Sequence, residues 1–290
     1  MVDKTGTPIG VMFNTDRMSA ASLTGFAQHL ESLSVDTLWV PELFGREPFA
    51  TAAHLLTATT QLRVATGIAN VYARDAVAAA AGARTLAEFS DGRFVLGLGV
   101  SNARLANSRG HVWEPPVEKL TSYITAIREA QISVPGPHEA EIHVAAHGPK
   151  MLEAVNQLVD GISTFLQTPE HTAAVRQGIP ESTSLNVTQM CLLCDDPAEA
   201  RRLARRALSF YVELDYYRRA WRNLGFDELD FVDGGSDHLV DALVAWGSPD
   251  AILERLGQHG DAGATELVII PLNPVGGTEP HLPLLEELAP

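Results

Sequence analysis

Cysteine and lysine are both scarce in this chain of 290 residues, and each scarcity removes a class of chemistry. The two cysteines, Cys191 and Cys194, stand in a Val/Thr/Leu-rich stretch where strand alternation points them to opposite faces. A thioredoxin-type pair needs a helix start to lower its thiol pKa, so two buried structural thiols are the reading here. The only lysines are Lys4, at the terminus, Lys119, in a helical stretch, and Lys150, at a helix start. A Schiff-base aldolase needs a lysine on a barrel strand, so that class is excluded.

Positive charge is short as well. The 21 Lys and Arg are outnumbered by 36 Asp and Glu, giving a net charge of −15, and a field of that sign repels nucleic acid and anionic membrane surfaces. No apolar run has the length to cross a bilayer, and Met1 to Gly10 holds no basic stretch followed by an apolar one, so a cytoplasmic location is expected. Metal ligation is not expected either. His143 and His147 are four apart, but a strand and turn do not hold that spacing on one face, and no Cys or carboxylate cluster joins them.

What the chain does have is 46% hydrophobic residues, enough for one large core, and residues 1–290 read as a single domain. Short apolar runs alternate with longer stretches of helical period. The strand candidates are Ile9–Phe13, Thr37–Val40, Arg63–Thr66, Phe94–Leu98, Ile142–Ala145, Gly161–Leu166, Leu185–Leu192 and Glu266–Ile270. Helical stretches fall at Ser19–Leu33, Phe49–Thr59, Asp75–Phe89, Val117–Gln131, Pro149–Leu158, Pro169–Gln177, Pro197–Leu224 and Pro249–His259. Several open with proline after a polar or glycine residue, as at Gly148-Pro149, Asp196-Pro197 and Ser248-Pro249, where the missing N–H costs nothing. Eight strands with helical crossovers predict a (β/α)8 TIM barrel. The segment from Asp227 to Trp246 fits the alternation poorly and reads as an insertion before the last strand. An open doubly wound sheet is the alternative.

Chemistry in such barrels stands at the C-terminal strand ends. That rule selects Pro41 and Glu42; Gly67, Ile68, Ala69, Asn70, Tyr72 and Arg74; Gly99, Ser101, Asn102 and Arg104; His147, Gly148, Pro149 and Lys150; and Gln167 and Thr168. Glu42 is either a proton carrier in the barrel mouth or a solvated partner of Arg46. Asp75 and Arg74 precede an alanine-rich helix, and the plainer reading makes Asp75 its cap and Arg74 a surface charge. Gly97-Leu98-Gly99 lacks the third glycine of a dinucleotide fingerprint; its glycines let the strand end approach a planar ligand or a neighbouring loop. The turn at 147–150 enters a helix whose free N–H groups favour an anion, though an ordinary helix start would look the same.

Three blocks of sequence carry a family resemblance: Asp36-Thr37-Leu38-Trp39-Val40-Pro41-Glu42, Arg63 through Asn70, and Thr85 through Val100. Ala146-His147-Gly148-Pro149-Lys150-Met151, Val159-Asp160-Gly161 and Gly247-Ser248-Pro249 support them. In this order they resemble the luciferase-like flavin and deazaflavin oxidoreductases, and the stretch 69–75 resembles the branch that uses coenzyme F420. The resemblance implies a barrel mouth holding the deazaflavin or flavin ring, backed by a bulge at Gly67-Ile68 that often carries a non-prolyl cis peptide. It implies cofactor contacts from Gly67, Ile68, Ala69, Asn70, Ser101 and Arg104, with phosphate at His147, Gly148, Pro149 and Lys150. A small organic substrate would exchange a hydride with the ring, with Glu42 and Asn102 as catalytic candidates. FMN, and with it monooxygenase chemistry, is the alternative cofactor; a non-catalytic barrel whose mouth is filled by Phe44, Tyr72 or Trp113 is a further one. The sugar-phosphate dehydrogenase pattern is absent, since Glu42 and Asn102 stand where that branch has histidine and glutamate. A homodimer is the family's habit.

Overall fold

A computed structural model describes residues 1, 6–276 and 279–289; Lys4 lies outside them. Among the described residues there are ten strands: β1 (Ile9–Met12), β2 (Thr37–Val40), β3 (Arg63–Thr66), β4 (Ala69–Asn70), β5 (Phe94–Gly99), β6 (Glu141–Ala145), β7 (Gly161–Phe165), β8 (Ser184–Leu193), β9 (Val244–Gly247) and β10 (Glu266–Pro271). Their order is β10-β1-β2-β3-β5-β6-β7-β8, with β10 also pairing β8, which is the closed parallel (β/α)8 barrel. The eight strands expected from periodicity are its staves. Strands β4 and β9 are additions that pair with β5 and β8.

The chain divides into two compact units. Residues 12–163 and 179–184 form one of them, built on β2, β3, β5 and β6. The middles of its strands are buried because helices cover them: Leu38, Val64, Leu98 and Val144 are at most 1% exposed. Helix starts follow the sequence signals. Ser19 and Asp75 accept the N–H groups of Ser22 and Ala78, and Pro48 opens the helix Pro48–Ala58. The turn at Asp91-Gly92 takes positive φ at both residues, as an Asp-Gly turn requires. Arg93 then donates to the carbonyls of Leu56 and Leu62, satisfying the end of the helix Pro48–Ala58 and the chain that leaves it.

The other unit comprises Met1–Val11, Thr164–Gly178 and Leu185–Pro290. The long helix expected over 197–224 is two, Pro197–Val212 and Asp215–Arg222. Extended backbone at Leu214 separates them, and the second helix thereby buries Tyr217 and Trp221, whose indole N–H donates to the Leu166 carbonyl at 2.9 Å. The 227–246 segment carries a 3-10 turn, the helix Asp237–Leu243 and β9.

A buried polar chain crosses this unit. The Gln189 amide nitrogen donates to the Leu243 carbonyl at 2.7 Å, so its oxygen accepts the Nε2–H of His259 at 3.1 Å. The His259 Nδ1 then faces the Thr172 hydroxyl at 2.9 Å. Burial, aided by the nearby Arg255 charge, pushes the His259 pKa down to about 3. The unfolded chain takes up this proton near pH 6.5 while the folded one refuses it, so the stabilisation is complete above pH 6.5 and is lost as pH falls toward 3. At pH 5 the loss is about 2 kcal/mol, ahead of carboxylates such as Glu141, held at about 2 by His143 and Arg63, which matter below their ordinary range. Urea unfolding at pH 7 and pH 5 is expected to show this drop in the wild type and a flatter response in His259→Gln. Equal drops in both would refute it.

Candidate active site

The site is built on the strand ends of the unit formed by residues 12–163 and 179–184. The peptide bond between Gly67 and Ile68 is cis, at the bulge expected from the sequence. This bulge is why β5 carries two glycines. A Cβ at Gly97 would lie 1.9 Å from the Thr66 carbonyl oxygen, and one at Gly99 would lie 2.8 Å from Cγ1 of Ile68. Of the two explanations that the sequence allowed, the neighbouring chain is the one found at both positions.

Glu42 holds the bulge from the other side. Its carboxylate accepts the Asn70 backbone N–H at 2.7 Å and binds the Arg74 guanidinium through both oxygens, at 2.8 and 3.0 Å. Arg109 approaches to 3.6 Å. The pair is enclosed, with side-chain exposures of 7% for Glu42 and 15% for Arg74, whose guanidinium also lies over the Phe49 ring. Arg46, the partner in one of the two readings of Glu42, instead bonds the carbonyls of Thr15 and Met18. Arg74 is thus not a surface charge. A clue was present, since an arginine directly before the N-cap Asp75 puts positive charge at the positive end of a helix dipole and needs a carboxylate nearby.

Asn70 is 1% exposed. Its amide oxygen accepts the Tyr72 N–H at 2.9 Å, which leaves Nδ2 as a buried donor with no partner. Buried polar groups without partners are rare, and one at a barrel strand end fits a ligand acceptor. Ala69 and Asn70 stand on β4, in contact with the end of β5.

Other expected site residues lie apart from this hydrogen-bonded cluster. Asn102 caps the short helix Ala103–Ser108 through its side-chain oxygen, Ser101 before it has positive φ, and Arg104 is exposed. His147 is half-buried, whereas Gly148, Pro149 and Lys150 are exposed at the start of the helix Pro149–Val155. Of the bulky residues that could fill a mouth, Phe44 is 78% exposed, and Tyr72 stacks on Trp113 at 5.7 Å while its hydroxyl accepts the Glu114 N–H. Tyr72, Arg74, His111, Lys119 and Tyr123 line a cavity of about 360 Å³ beside the Glu42 pair. Among the described residues, no helix is long and apolar enough to cross a membrane.

The fold is shared with known proteins. The luciferase-like monooxygenase family model matches residues 5–266. A 5,10-methylenetetrahydromethanopterin reductase from Methanolobus tindarius is 25% identical, the alignment covering 84% of this chain and 88% of the relative. Among solved structures, the coenzyme F420 dependent tetrahydromethanopterin reductase from Methanopyrus kandleri superposes with a TM-score of 0.77 at 15% identity, over 98% of this chain and 97% of that one. The FMN-bound oxygenating constituent of 3,6-diketocamphane monooxygenase from Pseudomonas putida gives 0.69 at 15% identity, over 98% and 97%. With a family model covering nearly the whole chain and the same barrel in these neighbours, the chain belongs to the luciferase-like monooxygenase family and is an oxidoreductase.

Proposed function

We propose that the chain is a coenzyme F420-dependent oxidoreductase acting on a small organic substrate, with residues 1–290 working as one luciferase-like domain. The observation that carries this reading is the buried, unpartnered Asn70 Nδ2 at a barrel strand end, beside a bulge locked by Glu42 and Arg74. Two names among the similar proteins, the Methanopyrus reductase for F420 and the Pseudomonas monooxygenase for FMN, frame the choice of cofactor. F420 when bound supplies a two-electron hydride carrier that reacts poorly with oxygen, whereas FMN would supply one that reacts readily.

The chain's own residues bind and orient. Gly67, Ile68, Ala69 and Asn70 back the ring, and the turn from His147 through Gly148 and Pro149 to Lys150 takes the phosphate on backbone N–H groups. Ser101 and Arg104 line the mouth, Arg104 and Arg109 facing the carboxylates of a glutamate tail. Asn102 stays a candidate for contact with substrate. Glu42, expected from sequence to carry a proton, enters this reading as a positioning residue, because Arg74 and the Asn70 N–H engage both of its oxygens. A cytoplasmic homodimer without nucleic-acid, membrane or metal partners completes the proposal.

Equilibrium titration of the purified, cofactor-free chain with F420 and separately with FMN tests it. Binding of F420 but not FMN is expected, with Arg104→Ala weakening F420 roughly tenfold at unchanged melting temperature, as for one charge-assisted contact. FMN binding alone would replace the reductase with a monooxygenase, and binding of neither would refute the cofactor-dependent function.

A further inference from the structure

The interior face of β5, β6 and β7 is organised in two rows. The lower row runs Gly97, His143, Gly161 in register across the three strands. Here the glycines are occupied by their neighbours: a Cβ at Gly161 would lie 2.6 Å from the His143 ring, and one at Gly97 would lie 3.3 Å from the Trp39 ring. Trp39 and His143, each 2% exposed and 5.9 Å apart between ring centroids, therefore fill this row. It is a sealed layer of the kind that closes barrel interiors.

The row above it is different. Asn70 is paired with Gly99. Leu98 stands opposite Val144, which sets Gly99 beside Ala145, and a Cβ at Gly99 would lie 3.5 Å from that of Ala145. Ala145 in turn is paired with Ser163. In-register residues of neighbouring parallel strands share a face, so Asn70, Gly99, Ala145 and Ser163 form one line across four strands. Its middle is small, covered at Gly99 by the Ile68 side chain. Both of its ends are polar atoms, buried and without partners: Nδ2 of Asn70 and Oγ of Ser163. At about 4.8 Å per strand, the line measures roughly 14 Å, the scale of a fused three-ring system with a hydrogen bond at each end.

We propose that this line, with the Ile68 side chain laid over Gly99, is the floor for a planar heterocycle and that Ser163 is a ligand-contacting residue, partnered across the floor by Asn70. Asn70 Nδ2 can only donate, so it meets a ring carbonyl or ring nitrogen; the Ser163 hydroxyl meets a second polar atom of the ring system. The inference rests on the cofactor-dependent reading above and extends it to a strand residue that no loop motif marks. Among the described residues the Ser163 hydroxyl has no hydrogen-bond partner, so removing it takes no hydrogen bond from the folded chain. A structural serine would behave in the opposite way.

The test is titration of the cofactor-free chain with F420 and with FMN, followed by fluorescence, for the wild type, Ser163→Ala and Ala145→Leu, together with the melting temperature of each without ligand. Ser163→Ala is expected to melt at the wild-type temperature or above and to bind the ring cofactor roughly threefold to tenfold more weakly, the effect of one net hydrogen bond. Ala145→Leu, which raises a side chain from the middle of the floor, is expected to lose at least roughly tenfold in affinity, as overpacking of a tight contact does. Unchanged affinity in Ser163→Ala, or a lowered melting temperature with unchanged affinity, would overturn the assignment while leaving the cofactor reading in place. If the wild type binds neither ligand, the cofactor reading fails first and the floor with it.

Discussion

Gly97→Ala is expected to yield little or no folded protein. The added Cβ would sit 1.9 Å from the Thr66 carbonyl oxygen, a backbone atom that no rotamer change can move. It would also press on the Trp39 ring at 3.3 Å, and the Thr66 hydroxyl ties the same two strands by donating to the Gly97 carbonyl at 2.7 Å. Relieving the clash means parting β3 from β5, and every residue of β5 is buried. Overpacking a tight core costs about 1–3 kcal/mol, and more where backbone must shift, against a total stability of about 5–15 kcal/mol. The control is Gly25→Ala in the helix Ala20–Ser32, where a Cβ would meet nothing within 4 Å. That change is expected to stabilise by about 0.5–1 kcal/mol, since alanine has less backbone freedom to lose. Soluble yield and urea unfolding read both outcomes. A Gly97→Ala protein with the wild-type midpoint would show that the bulge does not approach β5 as described.

This glycine marks the boundary between what was legible in the sequence and what was not. The barrel strands could be found because each is a short apolar run between turn signals, and the helices because proline and N-cap residues stand at their starts. Strand β4 is two residues long, too short for any periodicity, and β9 follows the helix Asp237–Leu243 with no intervening turn residue to announce it. The break at Leu214 has neither glycine nor proline and exists because Tyr217 and Trp221 bury there.

Site residues divide in the same way. The bulge at Gly67-Ile68 could be located because it lies in a contiguous block after a strand, the block that also names Asn70. Glu42 read either as a proton carrier or as a partner of Arg46, four residues away, whereas the arginine that grips it, Arg74, is thirty-two residues away and outside any local window. Ser163 was not singled out at all. It lies within β7 rather than after it, and its significance depends on a register across four strands and on a hydroxyl without a partner. Neither property belongs to a local stretch of sequence.

Glu42→Ala is expected to destabilise the chain by about 3–5 kcal/mol, the range for removing one member of an enclosed ion pair. The loss is large because three donors lose their carboxylate together: both arms of the Arg74 fork and the Asn70 N–H. Glu47, the remaining partner of Arg74, is half-exposed at 51% and supplies a single oxygen at 3.0 Å. The double variant Glu42→Ala/Arg74→Ala is expected to be less destabilised than the two single changes combined, because the stranded cation goes with its partner. Urea midpoints of the four proteins measure this coupling. Glu42→Gln separates the two roles argued for this residue. A positioning carboxylate replaced by an amide loses the charge that Arg74 needs, so melting temperature and ring-cofactor affinity should fall together. A carboxylate that served only to carry a proton would leave both unchanged and abolish turnover alone. The second pattern would return Glu42 to the catalytic role read from its sequence position.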